Sequence, residues 1–317
     1  MGFLGNDELE HLLDQVYGVT VIDLSWYDSL YLKRVAAKLE CADGWRKLKR
    51  YAGTEEALLR LYKKHQALVG AHLPGLPKWY VTRAGKPYLK YGGELYYLID
   101  WVNGRTFQHS ESDARSLGHT LATIHKTRPD LRAFRHPYWR ARLRPSMNAS
   151  RLLDKGIARR LPANARHFVE REGDDIQKTL QRSFHRLQSL HKHLRSGVVH
   201  GDVTVPNVLF VGKQAHLIDW ERVDLGFPIE ELAKTAMNTC HFSVSLVEQL
   251  LSGYGYHRFH RHEQALFSAF LEIPREVVHL LQRAANSGTK GKDEAQWDFI
   301  IETWEKRREL HRHFSVR

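Results

Sequence analysis

Between Gly197 and Glu221, three oxygen-bearing side chains, Asp202, Asn207 and Asp219, interrupt short apolar runs rich in β-branched residues: Val198-Val199, Val208 to Val211 and Leu217-Ile218. Runs of that kind read as strands bounded by turn residues, so the polar groups fall at strand ends where loops present them. Two carboxylates and a carboxamide form a set of hard oxygen donors. Such donors suit magnesium, which takes one or two protein oxygens and completes its shell with waters and phosphate oxygens. The chemistry expected of this stretch is therefore work on a phosphorylated partner. Taken singly, His-Gly-Asp in a valine-rich run is a turn and Ile-Asp-Trp is a strand end. Their joint order and spacing carry the reading, and structural context must confirm it.

Asp202 follows His200-Gly201 and precedes Asn207 by five positions. That is the offset between the proton-accepting Asp and the metal-binding Asn of a kinase catalytic loop, and Asp219, behind an apolar strand, takes the place of the kinase metal-binding Asp. The series His-Gly-Asp, then Asn, then Ile218-Asp219-Trp220-Glu221 resembles the aminoglycoside phosphotransferase and choline-kinase branch of the protein kinase-like fold. Protein kinases themselves would show His-Arg-Asp and Asp-Phe-Gly. Within the branch the chain is most similar to the CotS-type spore coat proteins of endospore-forming bacteria. The phrase Tyr97 to Arg105 (Tyr-Leu-Ile-Asp-Trp-Val-Asn-Gly-Arg) and the Lys-rich strand Trp45 to Tyr51 support that narrower similarity, which covers nearly the whole chain.

The resemblance implies an α+β, two-lobed fold, with residues 1–101 as a nucleotide-binding lobe and 102–317 as a mainly helical catalytic and acceptor-binding lobe. It implies ATP and Mg2+, with Asp202 as the group that accepts or orients the acceptor hydroxyl proton and Asn207 and Asp219 as metal ligands. Lys49 would meet the α and β phosphates, and adenine would bond to backbone groups near Asp100 and Val102, where the lobes join. A CotS-type protein would reside in the mother-cell cytosol before assembling with other coat proteins on the spore surface.

The elements that must position these groups can be followed in order. Leu9, Leu12, Leu13 and Val16 have helical spacing over residues 6–17, with Asn6 or Asp7 as the cap. Strands follow over Val19 to Leu24, Tyr31 to Leu39 and Trp45 to Tyr51, with Asp43-Gly44 as a hairpin turn. On the third strand, alternation puts Trp45, Lys47, Lys49 and Tyr51 on one face. Lys49 is the nucleotide lysine expected from the resemblance, against the alternative that Lys47 and Lys49 are solvated edge charges that deter aggregation. Thr54 caps a helix over Glu55 to Val69. Glu55, on the face of Leu58 and Tyr62, is the expected partner of Lys49, with Glu56 its rival; alternatively both acids merely favour the positive helix N-terminus.

Trp79 to Thr82 and Leu95 to Trp101 read as further strands, and no Gly-x-Gly-x-x-Gly loop lies between the early ones. Helices are expected over Ser112 to Lys126, Asp174 to Leu194, Leu246 to Leu251, Ala265 to Leu271, Val277 to Ala285 and Trp297 to Leu310. His125 is expected to be structural, bonded to the catalytic loop. Glu231 stands where the family usually has an Asp that braces the catalytic segment, which puts the local geometry in question. The segment Leu131 to Arg166 holds ten Lys or Arg against one acid, Asp154, with Phe134, Tyr138 and Trp139 interleaved. It reads as a solvated basic face or as an acceptor-side grip on an anion. Ser287 to Lys292 reads as a mobile loop. The histidines from His257 to His262 lack metal-site spacing.

A chain of 317 residues with 42% hydrophobic composition can bury a sizeable core in one or two domains. Its formal net charge of +12 calls for an acidic partner such as a nucleotide, a polyanion or an anionic surface. No specific nucleic-acid recognition motif accompanies that charge. No secretory leader and no transmembrane run is visible, and Cys41 and Cys240 make neither a disulfide framework nor a zinc site. Two readings of function remain open at this point. One is a small-molecule kinase with an unidentified hydroxyl acceptor; the other is a structural coat component that keeps the scaffold without the catalysis.

Overall fold

The computed structural model describes residues 6–28, 35–135, 155–286 and 293–315. Of the expected features, Tyr31 to Arg34, the basic stretch from 136 to 154 with Tyr138 and Trp139, and the loop 287–292 lie outside the described residues. The chain divides into two compact units: Met1–Thr106 with Thr127–Arg135 and Asn207–Val223, and Phe107–Lys126 with His136–Pro206 and Asp224–Arg317.

In the first unit, strands β1 (Val21–Tyr27), β2 (Ala36–Cys41), β3 (Gly44–Tyr51), β4 (Trp79–Tyr80), β5 (Leu89–Tyr91) and β6 (Glu94–Asp100) form one antiparallel sheet. Its order is β1-β2-β3-β6-β4, with β5 also on β6. The β2–β3 turn is one residue earlier than expected. Cys41 pairs with Gly44, which opens β3 at φ +130, so Ala42-Asp43 are the turn residues. Alternation along β3 decides the packing of both faces. Leu48 points with Leu39 and Leu98 toward Leu9 and Leu13 of helix α1 (Asn6–Tyr17), forming a core closed to water. Lys47 and Lys49 point the other way, where helix α2 (Glu55–Gly70) buries Leu58, Leu61, His65 and Leu68. Thr54 caps α2 as expected, its Oγ1 accepting the Ala57 N–H at 3.3 Å.

Strands β7 (Arg105–Thr106), β9 (Val208–Val211) and β10 (Gln214–Leu217) make a second sheet in this unit, in the order β10-β9-β7. The two-residue strand β7 has no hydrophobic pattern, and sequence reading missed it. It lies against β9 because Gly104 brings the backbones together: a Cβ there would sit 2.8 Å from the Phe210 carbonyl oxygen.

The second unit is mainly helical: α3 (Glu111–Lys126), α4 (Ala163–Leu190), α5 (Pro228–Asn238), α6 (Val244–Tyr254), α7 (Arg261–Glu272), α8 (Arg275–Asn286) and α9 (Glu294–Phe314), with β8 (Gly197–Val199) paired to β11 (Asp224–Gly226). Helix α4 begins eleven residues before the expected Asp174, since Ala165, Phe168 and Val169 continue its buried stripe through a run crowded with charges. Phe168 and Trp297 fill the space between α4 and α9, with ring centroids 6.2 Å apart. Helices α3 and α6 approach until their backbones touch at Gly118 and Gly253. A Cβ on either would lie 2.1 Å or 2.0 Å from a carbonyl oxygen of the other helix. Among the described residues, no helix is long and apolar enough to cross a membrane.

Candidate active site

Strands β9 and β10 are joined by Gly212-Lys213 and run in strict register from Val211 opposite Gln214 to Val208 opposite Leu217. One step further, the Ile218 N–H donates to the Asn207 carbonyl at 3.0 Å. Asn207 and Asp219 thus lie at the same open end of one hairpin. Asp219 adopts a left-handed backbone, φ 67 and ψ 60, which costs a non-glycine residue about 1 kcal/mol and persists only where the surroundings enforce it. The turn leads into a 3-10 segment over Trp220–Arg222, pinned by the Trp220 indole N–H on the Leu217 carbonyl at 2.8 Å.

Two carboxylates of this corner meet one ammonium. Lys49 Nζ lies 2.5 Å from Asp219 Oδ1 and 2.9 Å from Glu221 Oε1, with only 12% of its side chain exposed. Burial alone would lower the Lys49 pKa. The charges of Glu221 and Asp219 and their hydrogen bonds outweigh burial and hold it above its ordinary value. Lys47, two residues back on the same face, is pushed down by burial and by the Lys49 charge. Glu221 is itself fixed from behind. Tyr97 donates its hydroxyl to Glu221 Oε1 at 2.8 Å, and the Tyr97 ring stacks on Trp79 at 4.4 Å. The alternative that these lysines are solvated edge charges fails, because β3 lies inside the sheet between β2 and β6.

In the second unit, the loop after β8 carries Asp202 and is held by one buried acid. Glu231, on α5, accepts the His200 N–H at 3.0 Å and the Gly201 N–H at 2.6 Å, and pairs with His125 Nε2 at 2.9 Å. A carboxylate can only accept, so His125 Nε2 is the donor. Nδ1 of the same ring is bonded to the Tyr254 hydroxyl at 2.7 Å. Burial would raise the Glu231 pKa, but the His125 hydrogen bond, the imidazole charges of His125 and His200 and the Gly201 N–H keep it below the ordinary range. Gly201 sits at φ +86, a conformation that glycine adopts without strain. Val203 is tied down as well, its carbonyl accepting the Thr239 hydroxyl at 3.0 Å. The longer acid at position 231 therefore braces the loop, and His125 reaches that loop through Glu231.

The structure brings Lys49 onto Asp219 and sets Asn207 at the same hairpin end, whereas Asp202 belongs to the other unit. The expected Lys49–Glu55 pair is not the one formed. Glu55, in the exposed first turn of α2, accepts the Tyr88 hydroxyl and lies 4.0 Å from Lys90, while Glu56 pairs with Arg60 at 2.5 Å. The α2 positions that share the pocket with Lys49 are Leu61, His65 and Leu68, none of them acidic. Asp100 spends its carboxylate on the Lys78 N–H and the Tyr80 hydroxyl, at 3.0 and 2.7 Å, and its N–H on the Lys78 carbonyl. Val102 lies in the irregular segment 101–104. Sequence reading gave no role to Glu221 or Tyr97. The available signal for Glu221 was its place two residues beyond Asp219.

The oxygen donors at the hairpin end, the Asp219 carboxylate and the Asn207 carboxamide, are hard ligands. As a pair they fit a magnesium ion that draws its remaining ligands from phosphate and water.

Solved structures share this architecture over almost their full length. An aminoglycoside phosphotransferase from Alicyclobacillus acidocaldarius superposes with a TM-score of 0.77 at 15% identity, covering 93% of this chain and 91% of its own. A spectinomycin phosphotransferase solved with ADP and spectinomycin gives 0.69 at 15% identity over 99% of each chain. A choline kinase from Streptococcus pneumoniae gives 0.58 at 13% identity, over 96% of this chain and 98% of its own. At these identities the likeness shows the fold, which is the α+β protein kinase-like fold of those enzymes. No curated protein matches the chain. Residues 39–267, more than two thirds of the chain, match the model of the phosphotransferase enzyme family, and the chain therefore belongs to the phosphotransferase enzyme family.

Proposed function

We propose that the chain is an ATP- and magnesium-dependent small-molecule kinase that transfers the γ-phosphoryl group to a hydroxyl of its acceptor. The observation that carries this reading is the hairpin end where Asn207 and Asp219 emerge together, with Lys49 seated on Asp219. Lys49 holds the α and β phosphates, and backbone groups near Asp100 and Val102 receive adenine. Asn207 and Asp219 hold magnesium, which when bound offsets negative charge on the phosphate oxygens. Asp202 takes the proton of the acceptor hydroxyl as its oxygen bonds to the γ phosphorus. The bond from that phosphorus to the β,γ-bridging oxygen breaks and ADP departs. The work of the chain is then mostly positioning and charge neutralisation.

Three similarly folded proteins are named for spectinomycin, choline and aminopropanol, which supports an acceptor with an alcohol group. Replacing Asp202 by Ala is expected to lower phosphoryl transfer by about 10²–10⁴-fold, the range of a positioned general base, with the circular dichroism of the parent retained. ATP turnover that ignores the substitution refutes the assignment.

The phrases Tyr97 to Arg105 and Trp45 to Tyr51 support a narrower place among CotS-type spore coat proteins, made in the mother-cell cytosol and assembled with other coat proteins. A fluorescent fusion in a sporulating host is expected to gather at the forespore surface. Uniform fluorescence through the mother cell to the end of sporulation refutes that placement. In the second reading the chain is a coat component without catalysis. Its specific support is the net charge of +12, and an active parent enzyme excludes it.

A further inference from the structure

We infer that Glu221, not an acid of helix α2, is the residue that positions the nucleotide lysine Lys49, with Tyr97 holding Glu221 in place. The inference rests on the kinase reading above and adds to it a residue that the motif does not assign. Four observations carry it, all within the first unit.

First, Lys49 is almost enclosed, and an enclosed ammonium without a counter-charge is strongly disfavoured. Second, the face of α2 that shares its pocket presents Leu61, His65 and Leu68. The helix therefore has no acid in reach there, and the first-turn Glu55 is engaged by Tyr88 and Lys90. Third, Lys49 has two carboxylates, Asp219 and Glu221. If Asp219 is drawn into holding a cation, Glu221 still keeps the ammonium charged and aimed. Fourth, Glu221 is pre-organised. Its Oε1 takes the hydroxyl of Tyr97, whose ring is 3% exposed and stacked on Trp79. A carboxylate held that way loses little rotamer freedom on meeting the lysine.

The test is nucleotide affinity, measured by calorimetric titration of ADP into the full chain, first in EDTA and then with magnesium. The variants are Glu221→Gln, Glu221→Asp, Tyr97→Phe and Glu55→Gln. Glu221→Gln is expected to weaken metal-free ADP binding about tenfold, equivalent to about 1.4 kcal/mol. Glu221→Asp should recover part of that loss, Tyr97→Phe should lose a smaller share, and Glu55→Gln should stay within about twofold of the parent. In turnover, KM for ATP should rise more than kcat falls, and the magnesium concentration for half-maximal rate should not move.

The inference is overturned if Glu55→Gln weakens ADP binding as much as Glu221→Gln does. It is equally overturned if Glu221→Gln leaves metal-free affinity intact and only raises the magnesium requirement, since Glu221 would then serve the cation. Failure of the parent chain to bind ADP under either condition refutes the kinase reading and the inference with it. A parent that binds and a Glu221→Gln variant that matches it refute this inference alone. Because Tyr97→Phe removes one hydroxyl and keeps the ring stack, it still reads out the pair if the change at position 221 impairs folding.

Discussion

Replacing Glu231 by Gln removes one charge and changes nothing in size, so its cost can be worked out from the contacts. In the parent, Oε2 accepts from His200 N and His125 Nε2, and Oε1 accepts from Gly201 N at 2.6 Å. A glutamine keeps one acceptor oxygen, which can serve the first two donors. Its amide nitrogen then faces the Gly201 N–H, donor against donor. One charge-assisted hydrogen bond is lost and two others lose their charge. At about 1.5–3 kcal/mol for a bond to a charged group against about 1 for a neutral one, the expected loss lies at about 2.5–7 kcal/mol.

The loop that loses its brace carries Asp202 one residue beyond Gly201. A shift on the order of 1 Å at a reacting group costs about 10²-fold in rate, and turnover should fall by about that factor. The assays are urea unfolding of the full chain and ATP turnover on the still-folded variant. Glu231→Asp tests the length of the side chain separately. The carboxylate is retained, but α5 fixes the backbone of residue 231, so a side chain one methylene shorter is withdrawn from the His200 and Gly201 amides and turnover should fall although the charge is kept. A Glu231→Gln protein within about 0.5 kcal/mol of the parent and with parental turnover would refute the argument that this carboxylate holds the loop.

Two further expectations concern the second unit. Glu230 is buried against Arg275 and Lys234, at 2.8 and 3.0 Å; burial would raise its pKa, but these cations and their hydrogen bonds hold it down at about 2, below the ordinary 4.5. A depressed carboxyl contributes stability that is present above the ordinary value and lost as pH falls toward the folded one, here about 3 kcal/mol between pH 4.5 and 2. Glu230→Gln should flatten that acid limb in unfolding measured against pH, and an unchanged limb refutes the assignment. Gly118→Ala would set a Cβ 2.1 Å from the Leu250 carbonyl oxygen and 2.8 Å from the Tyr254 nitrogen. Backbone atoms cannot turn aside, so α3 and α6 must part at a cost of about 3 kcal/mol, read as a lowered urea midpoint. A midpoint equal to that of the parent would mean that the helices yield freely.

Much of the fold was legible because its elements obey simple periods. The Leu9, Leu12, Leu13 and Val16 stripe became α1, and Thr54 became the cap of α2, since both signals are local and survive whatever packs against them. Elements whose existence depends on a distant partner were not legible. Strand β7 has two exposed residues and exists because β9 lies beside it; β5 is three residues held by β6. The first eleven residues of α4 were hidden because the charges between Ala165, Phe168 and Val169 blur the apolar stripe, which only burial against α9 makes plain.

The site divides along the same line. Asp219 and Asn207 were legible because hairpin register is set by a turn and an alternation in one short stretch, and register alone delivers both to one end. The partner of Lys49 was not, because it depends on which face of α2 turns toward β3, and helical periodicity around Glu55 leaves that rotation open. Leu58, Leu61, His65 and Leu68 settle the rotation by burying themselves, which turns Glu55 outward. Once the helix presents no acid, a lysine this enclosed needs carboxylates from elsewhere. The left-handed turn at Asp219 supplies two, because it directs both Asp219 and Glu221 at the same nitrogen. The backbone strain at Asp219 and the missing acid on α2 are thus two sides of one arrangement. If residue 219 were relaxed into an ordinary strand conformation, the Glu221 pair should be lost with the Asp219 pair.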